Sequence, residues 1–145
     1  MIQIRPMQIE DIEQVSAIEN ELFSIPWSSS DLEYAVRNQS DYYLVAVSGE
    51  TIVGYCGLRQ VLDEGNINNV AVAKQYQQKG IAYAMLGELI QGGRKNGINA
   101  FTLEVRAGNQ KARQLYLKLG FKEEGIRKKY YQKPVEDAVI MWLYF

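Results

Sequence analysis

The sequence predicts a mixed α/β fold, a single sheet flanked by helices, with elements in the order β-α-α-β-β-β-α-β-α-β-β. Three observations predict it. Apolar residues recur at spacings of three and four in some segments and at a spacing of two in others. Several β-rich segments are joined by turns too short for anything but antiparallel neighbours. Helices and strands do not alternate regularly, which excludes the doubly wound arrangement.

The elements follow in order. Ile2-Gln3-Ile4 alternates as a short strand that stops before Pro6. Ile9, Ile12, Val15, Ile18 and Leu22 keep the helical spacing and predict an amphipathic helix over residues 10–23. Phe23-Ser24-Ile25-Pro26-Trp27 breaks it. Ser28 with Asp31 three residues on forms a capping box, and a short helix to Arg37 follows. Residues 41–47 and 51–60 are apolar and β-branched, with Ser48-Gly49-Glu50 as the hairpin turn between them; residues 66–72 make a third strand. A helix is expected over residues 80–96 and ends at Gly97. Inside it Gly87, Gly92 and Gly93 each cost about 1 kcal/mol relative to Ala, which puts its rigidity in question. Residues 101–105 form a strand, and Asn109 caps a helix whose stripe is Ala112, Leu115 and Leu119 and which Gly120 ends. Residues 121–131 and 137–145 close the chain as an antiparallel pair.

Composition narrows the function. The chain has 145 residues, 47% of them hydrophobic, which is the size of a single domain over residues 1–145 with an ordinary core. Net charge is −1, and the densest basic cluster, Arg127-Lys128-Lys129, is a solvated strand end rather than a nucleic-acid surface. The lone cysteine, Cys56, forms no disulfide within the chain, and there is no histidine. A metal site is therefore not expected, and acid–base chemistry falls to Asp, Glu, Lys, Tyr, the thiol or water. The N-terminus lacks the apolar stretch of a signal peptide, and the longest apolar run, residues 138–145, is too short to span a bilayer. The expected setting is the reducing cytoplasm, with no membrane partner.

The polar stretch Gln75-Tyr76-Gln77-Gln78-Lys79-Gly80-Ile81-Ala82 lies where a strand hands over to a helix. Such a junction exposes unpaired N–H groups at the positive end of a helix dipole, and glycine admits a phosphate close to the backbone. A P-loop is excluded, because Tyr55-Cys56 follow the glycine spacing of Gly49 and Gly54, and no G-x-G-x-x-G occurs. Gln77-Gln78-Lys79-Gly80-Ile81-Ala82 does match Q/R-x-x-G-x-G/A, and in this it resembles the pyrophosphate loop of the GCN5-related N-acetyltransferases. Asn69-Val70-Ala71-Val72 before the loop and Leu115-Tyr116-Leu117-Lys118-Leu119-Gly120-Phe121 after it resemble the same family. The narrower signals are Leu103-Glu104-Val105-Arg106, the segment from Phe23 to Ser28, the segment from Gly125 to Tyr131, and Glu136-Asp137-Ala138. These are similar to the ribosomal-protein-alanine N-acetyltransferase (RimI-like) branch.

The resemblance implies that family's fold, a central, mostly antiparallel sheet flanked by helices, with acetyl-coenzyme A as cosubstrate. It implies that Gln77, Gln78, Lys79, Gly80, Ile81 and Ala82 hold the pyrophosphate. Backbone groups of Val70, Ala71 and Val72 would pair with the pantetheine arm and polarise the thioester carbonyl, and Asn109 would contact the coenzyme. Glu104 would take a proton from the acceptor amine and Tyr116 would return one to the leaving thiolate, with direct attack and no acetylated enzyme.

The residues also admit plainer roles. Strand alternation places Glu104 with Thr102 and Arg106 on one face, where it could simply pair with Arg106. Tyr116 could be a core tyrosine. Trp27, Tyr130 and Tyr131 line an acceptor groove or are ordinary aromatics. Glu136-Asp137 attract a basic peptide or merely start the last strand. The expected acceptor is the N-terminal alanine of a small-subunit ribosomal protein. The alternatives are a small amine, a lysine side chain, or a non-catalytic acyl-coenzyme A-binding module. The oligomeric state is not legible.

Overall fold

The computed structural model describes residues 1–145. Strand β1 (Ile2–Pro6) leads through one 3₁₀ turn, Ile9–Asp11, into helix α1 (Ile12–Leu22). Helix α2 (Ser29–Arg37), the meander β2 (Asp41–Ser48), β3 (Thr51–Val61) and β4 (Glu64–Val72), and helix α3 (Ile81–Lys95) follow. The chain closes with β5 (Ala100–Arg106), α4 (Gln110–Lys118), β6 (Lys122–Tyr131) and β7 (Glu136–Tyr144). The predicted order stands. The first turn of the predicted first helix is tightened to 3₁₀ because Asp11 is otherwise engaged. Its carboxylate accepts from Arg5 at 2.7 and 2.9 Å and from the Gln8 N–H at 2.8 Å, and these bonds, the Arg5 pair first, hold the Asp11 carboxyl below the usual carboxylate range.

Seven strands form one sheet in the order β1-β2-β3-β4-β5-β7-β6. Short turns make β2, β3 and β4 antiparallel neighbours, and the chain returns through α1 and α2 to set β2 antiparallel beside β1. The crossover through α3 makes β4 and β5 the one parallel pair. The β6–β7 hairpin then folds back, so that β7 fills the place beside β5 and β6 becomes the edge.

Helix α3 covers one face, with Met85, Leu86 and Leu89 fully buried against Cys56, Phe101 and Leu103. Helices α1 and α2 cover the other face through Val15 and Leu32, against Val45 and Tyr55. Each such side chain contributes roughly 1.5–3 kcal/mol on burial. The paired glycines of α3 are explained by this packing. A Cβ on Gly92 would lie 2.5 Å from the Tyr42 hydroxyl, and one on Gly93 would lie 2.8 Å from the Phe101 ring. The helix therefore sits close on the sheet at the cost of local propensity. No helix is long and apolar enough to cross a membrane.

Candidate active site

The parallel ladder between β4 and β5 spans only Glu64–Ile67 against Ala100–Leu103. Beyond it the strands diverge, and residues 68–72 of β4 no longer meet residues 104–106 of β5. The backbone edge of β4 is thus left open toward β5 in the middle of the sheet. A cavity of about 1720 Å³ occupies the gap. It is lined by the ends of β4 and β5, the first turns of α3 and α4, the segment between α1 and α2, and the β6–β7 turn.

One end of the cavity suits an anion. Gly80 is the N-cap of α3 in the left-handed region, φ +82°, and a Cβ there would meet nothing within 4 Å. Gln78 also has a positive φ, +61°. The N–H groups from Gln78 through Tyr83 donate to no backbone acceptor in the protein, which leaves unpaired donors at the positive end of the helix dipole. Gln78, Gly80, Ile81 and Ala82 line the cavity. Gln77 lines it too, but its amide is used locally and donates to the Val72 carbonyl at 2.9 Å. Lys79 is not part of the lining; its ammonium lies 5.5 Å from the Tyr76 ring centroid. Val70, Ala71 and Val72 form the adjoining wall. Asn109 caps α4, accepting from the Ala112 N–H at 3.1 Å, and its side chain faces the same space.

The middle of the cavity holds the titratable groups. The alternation of β5 is as predicted, with Phe101, Leu103 and Val105 buried and Glu104 on the opposite face. The ion-pair partner of Glu104 is Arg127, 3.0 Å away across β7, and not Arg106. Arg106 instead pairs with Glu136 at 3.2 Å and donates to the carbonyls of Gln132 and Pro134, both at 2.9 Å. It thereby pins the β6–β7 turn to β5. Tyr116 is the one buried residue of α4, its ring edge-on to Phe121. Its hydroxyl is left free at the cavity, and burial pushes its pKa up, so it stays a proton donor. Cys56 is wholly buried and burial pushes its thiol up as well, which removes the thiolate a covalent route requires.

The other end is walled by aromatics. Trp27 stands on the segment between α1 and α2, and Tyr130 and Tyr131 stand at the end of β6, their rings edge to face at 5.1 Å. Tyr131 is pushed up to about 12, first by burial and then by the charge of Glu104. Ser24 Oγ donates to the Lys133 carbonyl at 2.7 Å, joining the two walls. Glu136 and Asp137 are not available to a basic peptide. Glu136 accepts from the Gly108 N–H at 2.7 Å, and Asp137 accepts from the Lys129 N–H at 2.9 Å.

A family model described as the acetyltransferase (GNAT) family matches residues 11–121. The chain belongs to this family. It is an acetyl-coenzyme A-dependent N-acetyltransferase of the GNAT fold. It is 39% identical over 144 residues to the ribosomal protein bS18-alanine N-acetyltransferase of Haemophilus influenzae, covering 94% of this chain and 96% of that one. It is 33% identical over 141 residues to a Bacillus subtilis protein described as a putative enzyme of the same kind, covering 97% and 93%. The crystal structure of the ribosomal-protein-S18-alanine N-acetyltransferase from Escherichia coli superposes with a TM-score of 0.92 at 32% identity, over 99% of this chain and 94% of that one.

Some residues of this GNAT site are not singled out by the sequence reading. Glu19, Tyr43, Tyr55 and Asn69 form a buried polar chain beside the aromatic wall, with Glu19 and Asn69 lining the cavity. Its sequence signal is Glu19 itself. The residue stands four after Val15 and three before Leu22, which puts a carboxylate on the apolar side of an amphipathic helix. Arg127 carries no comparable signal, and Arg106 is legible only as a possible partner of Glu104, because the true partners of both depend on the last hairpin.

Proposed function

We propose that this chain is a protein N-terminal acetyltransferase, acting as one domain over residues 1–145, that acetylates the α-amine of an N-terminal alanine on a small-subunit ribosomal protein. The observation that carries this reading is 39% identity along almost the whole length to an enzyme described by that acceptor. The cavity supports it. The free amides of residues 78–83 and the open edge of β4 fit the pyrophosphate and pantetheine of acetyl-coenzyme A. Glu104 accepts the proton that the attacking amine must lose, directly or through water. Tyr116 donates the proton that the departing sulfur requires. The basicity of the acceptor fits a modest base, since an α-amine has a pKa of about 7.7–8.0 against about 10.4 for lysine. Acetyl transfer of this kind and the lone buried thiol are in keeping with a cytoplasmic setting.

The test is mass spectrometry of peptides incubated with the enzyme and acetyl-coenzyme A. Peptides beginning with Ala, Ser, Thr and Met are compared with an N-terminally blocked peptide containing lysine and with small amines. The expected product is the α-acetylated peptide beginning with Ala. Lysine acetylation without an N-terminal product would overturn the reading.

A further inference from the structure

Glu19 presents an unusual local energy balance. Its side chain is buried at 3% exposure in α1 and takes part in none of the ion pairs. A carboxylate in that position is costly unless every lone pair is matched. The matching is done by two hydrogen bonds of different character. Oε1 accepts the backbone N–H of Trp27 at 2.8 Å, and Oε2 accepts the Tyr55 hydroxyl at 2.5 Å. Tyr55 in turn accepts from Asn69 Nδ2 at 2.9 Å. The Tyr43 hydroxyl lies 2.8 Å from Asn69 Oδ1 and 2.6 Å from Asn68 Oδ1, and its single proton is shared between these two acceptors. The chain begins at the aromatic wall and ends on β4, immediately before Val70. Trp27, Asn68 and Asn69 all face the cavity.

Both Glu19 oxygens accept, and this fixes the direction of the whole chain. Trp27 must present its N–H inward, Tyr55 must donate to Glu19, and Asn69 must turn its amide nitrogen toward Tyr55. No apolar replacement could fix the backbone of Trp27, whose N–H lies outside any helix. A tilted ring contact of Trp27 with Tyr43, centroids 6.2 Å apart and planes at 37°, holds the indole but leaves the main chain free.

We propose that Glu19 is a positioning residue for acceptor specificity: by anchoring the Trp27 main chain to Tyr55 and Asn69 it sets how far the aromatic wall stands from β4, and so which first residue of the acceptor fits beside the thioester. This role rests on the acceptor reading above. It gives Glu19 no contact with the reacting atoms and no part in proton transfer.

The test compares wild type, Glu19→Gln and Tyr55→Phe as full chains. Glu19→Gln keeps the shape but brings an N–H donor against the Tyr55 hydroxyl. Tyr55→Phe keeps the ring and leaves the Trp27 anchor in place with a weaker support. Steady-state kinetics are measured with peptides beginning Ala, Ser and Met, acetyl-coenzyme A affinity by calorimetry, and amide hydrogen exchange over residues 23–28. Glu19→Gln is expected to raise the KM for the Ala peptide about tenfold, the scale of one hydrogen bond to a charged group, and to leave coenzyme affinity within about twofold. Preference for Ala over Ser and Met should shrink, and exchange at the Trp27 N–H should quicken. Tyr55→Phe should move the same quantities in the same direction by about threefold. Unchanged peptide KM, preference and exchange in both variants would overturn the proposal. So would an equal loss of coenzyme affinity, which marks general loosening. If wild type acetylates no α-amine, the acceptor reading fails instead, and exchange at Trp27 still decides whether Glu19 holds the wall.

Discussion

Glu104 and Tyr116 each have a structural occupation beside the chemistry proposed for them. Glu104 is paired with Arg127, a guanidinium largely exposed to solvent, so an incoming ammonium can compete for the same carboxylate. Tyr116 packs its ring on Phe121, while its hydroxyl has no partner. Ring and phenol can therefore be separated by substitution. Tyr116→Phe retains the packing and removes only the proton, so we expect kcat to fall by roughly 10²–10⁴-fold with thermal stability close to wild type. Glu104→Gln should lower kcat on the same scale while coenzyme affinity holds. Raising the pH should partly restore its rate, because the acceptor amine then deprotonates without help. A Glu104→Gln variant equally slow at pH 7 and pH 9 would remove that residue from the role. A Tyr116→Phe variant that keeps its kcat but melts early would reduce Tyr116 to a core residue.

Helix α3 shows how one residue type acquires opposite effects along one element. Gly87 has open space where a Cβ would go, whereas Gly93 has Phe101 at 2.8 Å and Ile98 at 3.1 Å. Gly87→Ala should therefore stabilise by up to about 1 kcal/mol through helix propensity alone. Gly93→Ala should destabilise by roughly 1–3 kcal/mol, because buried rings must shift to admit the methyl. Urea denaturation of both variants measures the contrast, and equal effects would refute the packing account. The sequence could supply the propensity term but not the contact, since Phe101 and Tyr42 reach α3 only through the finished sheet. The same division runs through the rest of the chain. Element order, the Ser28–Asp31 box and the Asn109 cap were legible because each is written in local spacing. The loop at Gly80 was legible because its motif is contiguous. The partner of Glu104 was not, because it lies across β7 and the β6–β7 pairing is shifted by irregularities between Glu123 and Gly125 and between Arg127 and Tyr131. Arg106 looked equally eligible on the same strand face, but the β6–β7 turn claims it.

Across the whole molecule, buried phenols couple folding to alkali. Tyr43, Tyr55 and Tyr116 are all pushed above the ordinary tyrosine range, in each case chiefly by burial. An unfolded chain releases these protons near pH 10, and the folded chain retains them. Below that pH both states hold the same protons, so this contribution to stability is complete and flat. As pH rises past about 10 the unfolded state binds fewer protons than the folded one, and stability falls by up to roughly 1.4 kcal/mol per pH unit for each phenol. Urea midpoints should be level from pH 7 to 9 and drop above 10, and Tyr55→Phe should make the drop shallower. A midpoint that rises above pH 10 would contradict this coupling.

The short ladder between β4 and β5 has a mechanical consequence. Four residues on each strand are all that fasten the N-terminal half of the sheet to the C-terminal half at this line, while the antiparallel pairs on either side run much longer. The molecule is therefore built with a seam, and a coenzyme bound as proposed in the opening above it would work as a stitch. We expect amide protons of residues 64–67 and 100–103 to exchange earlier than their neighbours in the free protein. Adding acetyl-coenzyme A should slow that exchange more than anywhere else in the sheet. Uniform protection across all seven strands would show that the halves are joined as firmly there as elsewhere.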